Sequence, residues 1–129
     1  MRYLLDTSTV VNFLRGKKLI DETVIKGGAA VSIITQAELF YGAIKSAQSK
    51  KNLDLVKGFI KDLEIATVNL SEPIILSYAR LKTSLEKQGK KLDEFDLLIA
   101  ASALENNLAL VTDNARHFDR VKGLRIFSR

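Results

Sequence analysis

Four acidic residues, Asp6, Glu38, Asp96 and Asp113, stand where they could organise a metal ion or a water molecule. Asp6 ends the apolar run Tyr3-Leu4-Leu5, and Asp113 follows the apolar run 108–111. Glu38 lies just beyond the β-branched run 29–34, and Asp96 opens the apolar stretch 95–104. Short apolar runs of this kind read as strands buried on both faces, and the carboxyl ends of such strands are where open α/β sheets bind ligands. Carboxylates about 5 Å apart at an effective dielectric near 20 repel by roughly 3 kcal/mol per pair. A cluster must therefore protonate, separate or hold a cation. Mg²⁺ answers that need, since it prefers oxygen ligands, keeps several waters and takes one or two carboxylates directly. Mn²⁺ suits the same ligands.

Each acid also has a structural explanation. Asp6 can cap a helix beginning near Thr7 or Ser8, Thr35 and Glu38 have the spacing of a capping box, and Asp93 with Asp96 fits a cap and a first-turn acid. Asp113 can begin a turn before Asn114. What favours chemistry is that all four could face one cleft. The chain has no cysteine, a single histidine, His117, and neither a G-x-x-x-x-G-K-[ST] nor a G-x-G-x-x-G loop, so thiol chemistry and nucleotide cradles are excluded. Metal-assisted hydrolysis remains.

The elements that must carry these residues follow from periodicity. A strand over 3–5 leads into a helix stopped by Gly16, and 17–26 reads as a short amphipathic helix or turn. A strand over 29–34 precedes two helices, whose apolar residues are Leu39, Phe40, Ala43 and Ile44, then Leu53, Val56, Phe59, Ile60 and Leu63. A strand over 65–68 follows, and Ser71-Glu72-Pro73 starts a helix running to Gly89. The stretch 95–104 is apolar in nearly every direction around a helix, which predicts burial on most sides. Strands over 108–111 and 124–127 complete the order. The expected fold is a three-layer α/β/α sandwich with a mostly parallel central sheet. At 129 residues, 47% hydrophobic, residues 1–129 are expected to form a single domain. No apolar run is long enough to span a bilayer and no leader is evident, so no membrane contact and a cytoplasmic location are expected. The net charge of +5 and pI near 9.5 favour polyanionic partners. With a basic rim around an acidic site, the expected substrate is a nucleic acid.

Four segments, taken together, resemble the PIN-domain ribonucleases, specifically VapC-type toxins of toxin–antitoxin pairs. They are LLDTS at 4–8, SIITQAEL at 32–39, FDLLIAASAL at 95–104 and LVTDNARHFDRVKGL at 110–124. The resemblance spans nearly the whole chain, with the four motifs in order. It implies Asp6, Glu38 and Asp96 as the acidic core, with Asp6 and Asp96 as direct Mg²⁺ ligands. It also implies RNA as substrate, a homodimer, and a cognate VapB-type antitoxin whose tail blocks the cleft. Many PIN domains carry T-x-D after the last core strand, whereas Thr112-Asp113-Asn114 places Asn114 at the acid's position. Asp113 can fill that role after a small backbone shift, or Asn114 can orient a water or phosphate.

Thr7, Ser8 and Thr112 are expected to support the carboxylates, and Arg116 and Arg120 to contact phosphate. His117 reads as a surface or turn residue without a partner, and Phe118 as packing under the last loop. Phe40 and Tyr41 on the early helices serve either a dimer or the core. Two competing readings remain. A phosphatase or receiver-like domain would need acids this chain lacks, for example two residues after Asp6, where Ser8 stands. A catalytically inactive RNA-binding or protein-interaction domain of the same fold is the other.

Overall fold

Tyr3–Leu5 (β1) is the strand on which everything else is registered. The computed structural model describes residues 1–127, and in it β1 lies between two parallel neighbours. Ala29–Ser32 (β2) pairs Tyr3 with Ala29 and Leu5 with Val31, while Ala109–Val111 (β4) pairs Tyr3 with Ala109 and Leu5 with Val111. Ala66–Val68 (β3) adds beyond β2, giving the all-parallel order β3-β2-β1-β4. The chain steps from β1 to β2 to β3 and then crosses to the far side of β1. The reversal falls between β1 and β4, the switch point where such sheets open a crevice.

The alternation of strand side chains divides the core in two. Leu5, Val31 and Ala29 face one side, together with Val10 of Thr7–Leu14 (α1), Val24 of Glu22–Lys26 (α2), Leu39 of Ile33–Lys45 (α3) and Val56 and Phe59 of Ser49–Asp62 (α4). Leu4, Ala30 and Leu110 face the other side. There they meet Ile74 and Leu85 of Glu72–Lys87 (α5), Leu97, Ile99 and Ala100 of Glu94–Glu105 (α6), and Phe118 of Ala115–Phe118 (α7). The result is the expected three-layer sandwich. Leu97 to Ala103 of α6 are nearly all buried, as an unbroken apolar circumference requires, and the helix lies along α5.

Three boundaries differ from expectation. The second strand stops at Ser32 and not at Ile34, because the Ser32 hydroxyl accepts from the Ile34 N–H and starts α3. The segment 17–26 is helical only from Glu22, and Gly16, at φ 70°, takes the left-handed turn that ends α1. The strand expected over 124–127 reduces to a single parallel bridge between Leu110 and Ile126. Among the described residues no helix is long and apolar enough to cross a membrane.

Candidate active site

Asp6 is placed by β1 and held by α1. Its backbone N–H donates to the Val111 carbonyl at 3.0 Å, tying it to the end of β4. Its carboxylate caps α1: Oδ1 accepts from the Thr9 N–H at 2.9 Å and from the Ser8 hydroxyl at 2.9 Å, and Oδ2 accepts from the Thr112 hydroxyl. The expected cap is formed, and it lies at the crevice between β1 and β4. Only 3% of Asp6 is exposed, so these three donors keep a buried charge satisfied. A carboxylate has about four acceptor positions, which leaves one for a further partner.

Glu38 comes from α3, one turn beyond Thr35. The capping box does not form, because α3 begins at Ile33 and Thr35 already lies inside it. With its cap at Ser32, three residues before Thr35, the helix carries Thr35 and Glu38 on one face, three residues apart. Thr7 Oγ1 contacts both, at 3.1 Å from Thr35 Oγ1 and 2.6 Å from Glu38 Oε1.

Asp96 lies in the first turn of α6, whose N-cap is Asp93, accepting from the Phe95 N–H at 3.2 Å. Burial pushes the Asp96 carboxyl above the usual carboxylate range. The His117 charge opposes that rise, and the nearby charges of Asp93, Asp6 and Glu38 reinforce it. Asp6 and Glu38, from two other segments, thus bear electrostatically on Asp96 across the crevice. His117 Nε2 stands 3.2 Å from Asp96 Oδ2, which corrects the expectation of a histidine without a partner. The only sequence signal for this contact is that Phe118 must point into the core, leaving its neighbour to turn elsewhere. Phe118 is 1% exposed, as expected for packing beneath the last loop.

Asp113 is turned away from this group. Its Oδ1 pairs with Lys18 Nζ at 2.7 Å and its Oδ2 accepts from Asn12 Nδ2 at 2.7 Å. Burial pushes its carboxyl up, but the bonds from Lys18 and Asn12 and the Lys18 charge outweigh this and hold it below the usual range. Each Asp113 oxygen thus takes one bond, from Asn12 of α1 and from Lys18 in the loop that follows it. Lys18 and Asn12 were not foreseen, because they precede Asp113 by about a hundred residues. Thr112 bridges the corner, donating to Asp6 and accepting from the Asn114 N–H at 2.9 Å. Asn114 precedes α7 with its side chain exposed and not used as a cap. Arg116 is exposed beside it, and Arg120 donates to the Lys91 carbonyl.

Among the described residues, no three Asp, Glu, His or Cys side chains converge into a ready-made metal cage. Mg²⁺ does not require one, since it commonly binds through one or two carboxylates and retains its waters. A donor set of carboxylate and hydroxyl oxygens, with the Asp96 charge destabilised by two facing acids, fits a hydrated divalent ion.

Residues 3–124 match the family described as the PIN domain. The chain is 35% identical over 130 residues to ribonuclease VapC2 of Haemophilus influenzae, covering 97% of this chain and 96% of that protein. It is 30% identical to the tRNA(fMet)-specific endonuclease VapC of Shigella flexneri, covering 97% and 96%. In three dimensions it is similar to VapBC2 of Rickettsia felis, solved bound to a promoter DNA fragment. That match has a TM-score of 0.89, 30% identity and 98% coverage of each chain. It is also similar to DNA-bound VapBC of Salmonella typhimurium, with a TM-score of 0.88, 28% identity and coverage of 98% and 97%. On sequence and fold together, the chain belongs to the PIN-domain family, alongside the VapC ribonucleases.

Proposed function

We propose that this protein is a divalent-metal-dependent endoribonuclease, the toxin of a toxin–antitoxin pair, with Mg²⁺ as its ion and Mn²⁺ able to replace it. The observation that carries this reading is that Asp6, which ends β1 and is bonded to Val111 of β4, and Glu38 both bear electrostatically on Asp96 at the switch point between these strands. Asp6 and Asp96 would hold the ion. When bound, the ion supplies a water of lowered pKa and offsets the charge that builds on the phosphodiester during hydrolysis. Glu38 takes the proton of the attacking water on Oε2, while Thr7 occupies Oε1. Ser8 and Thr112 hold the Asp6 carboxylate in place. Arg116 and the unspent N–H groups of Arg120 contact RNA phosphates, and the Asn114 amide orients a water or phosphate at the fourth corner. Asp113 anchors the loop and takes no part in the proton transfer.

The kinship with VapC proteins solved in VapBC complexes supports a VapB-type antitoxin as partner. Tyr41 and Ile44, exposed on α3, offer apolar surface for the homodimer. A cytoplasmic site of action follows from an RNA substrate. The test is cleavage of total cellular RNA by protein freed of antitoxin, with Mg²⁺, Mn²⁺ or EDTA, for wild type and Asp96→Asn. Discrete fragments only from wild type with metal are expected. Intact RNA in every arm would reject the nuclease reading in favour of an inert binding domain.

A further inference from the structure

Thr35 is fully buried, so it cannot touch RNA, yet its hydroxyl points at the acidic site. Proton counting fixes the direction of its bond. Thr7 has one hydroxyl proton, and an ionised Glu38 carboxylate can only accept, so the 2.6 Å contact is Thr7 donating to Glu38 Oε1. Thr7 must then accept at 3.1 Å from the Thr35 hydroxyl. The chain Thr35 to Thr7 to Glu38 is polarised in one direction, with the carboxylate at its end, and hydrogen bonds so arranged reinforce one another. Thr35 stands in the first turn of α3, and its hydroxyl reaches across to Thr7 of α1.

We infer that Thr35 is a positioning residue, which acts through Thr7 to fix the rotamer of Glu38 so that Oε2 faces the reacting water. The inference rests on the nuclease reading above. Rotating Thr7 away from Glu38 would let a flexible three-carbon side chain wander, and small misplacements of a proton acceptor are costly in rate.

The experiment uses the full chain, freed of antitoxin, on an unfractionated bacterial tRNA pool with Mg²⁺. Initial rates over a range of pool concentrations separate kcat from KM. Thr35→Val keeps the shape and removes the hydroxyl. It is expected to lower kcat by about ten- to a hundredfold with KM unchanged, the scale of a displaced catalytic group. Thr35→Ser restores kcat. In a Thr7→Val background, Thr35→Val costs nothing further, because the intermediary is already gone. Full kcat in Thr35→Val, a Thr35→Ser as slow as Thr35→Val, or losses that multiply in the double variant would each overturn the inference. If Thr35→Val does not fold, Thr35→Ala must show the same kcat loss with KM unchanged. A wild type that leaves the pool intact rejects the nuclease reading. The hydrogen-bond chain is then judged by thermal unfolding in EDTA, where non-additive Tm losses of Thr35→Val and Thr7→Val support it and additive losses overturn it.

Discussion

Asp96 is a residue the fold bears at a cost. Its pKa is raised in the folded state, so its contribution to stability is full below the ordinary carboxylate value and is lost as pH rises through the folded pKa. Metal-free protein should therefore gain in Tm at neutral pH on Asp96→Asn, the difference closing at acid pH. The same change should cost activity about a hundredfold or more, as loss of a key electrostatic group does. Mg²⁺ should raise the Tm of wild type and not of the variant, measured by thermal scans with and without EDTA. Asp113 behaves oppositely: its pKa is lowered, so its contribution is present above the ordinary value and is lost as pH falls through the folded one. Asp113→Asn should cost about 0.2–1 kcal/mol in urea unfolding, less at high salt, and leave cleavage within a few-fold of wild type. Asp6, Glu38 and Asp96 were legible because each follows or opens a strong apolar run. The true partners of Asp113 and His117 were not, since Lys18 and Asp96 are brought to them by sheet pairing and not by local pattern.

At the scale of elements, α6 is what aims Asp96, and its first turn is pinned twice. Asp93 caps it, and Glu94 accepts from Lys82 Nζ at 2.5 Å and from the Tyr78 hydroxyl, both on α5. Asp93→Ala should cost about 1 kcal/mol of stability, the usual worth of a cap, and should lower cleavage by loosening the turn that carries Asp96. Calorimetry beside the RNA assay checks both. The parallel sheet, the helix pairs and the buried character of α6 were all readable from periodicity. The start of α3 was not, because Ile33 and Ile34 are β-branched and extend the strand pattern past the Ser32 cap. Moving the cap three residues, from Thr35 to Ser32, turns a supposed capping box into one helix face bearing Thr35 and Glu38. The last segment does not form a full strand because, among the described residues, its ladder bonds run to Leu110 alone, which donates to the Arg125 carbonyl and accepts from the Phe127 N–H.

For the whole molecule, a net charge of +5 predicts that RNA binding, where measured, falls with salt. Arg116→Ala should weaken binding and reduce the slope of log affinity against log salt by about one, in filter-binding titrations, if that side chain meets one phosphate. The homodimer should show in light scattering at micromolar concentration, and Tyr41→Glu should shift it toward monomer by burying a charge in the apolar contact. The central position of β1 has a further outcome. One edge of β1 is completed by β2, made soon after it, but the other waits for β4, more than a hundred residues later in the chain. Asp6 is made early, whereas Thr112, which follows β4 and donates to the Asp6 carboxylate, comes 106 residues later. A chain that has not yet paired β4 lacks both one wall of the crevice and the Thr112 donor to Asp6, so the candidate site forms only once that late strand has joined the sheet.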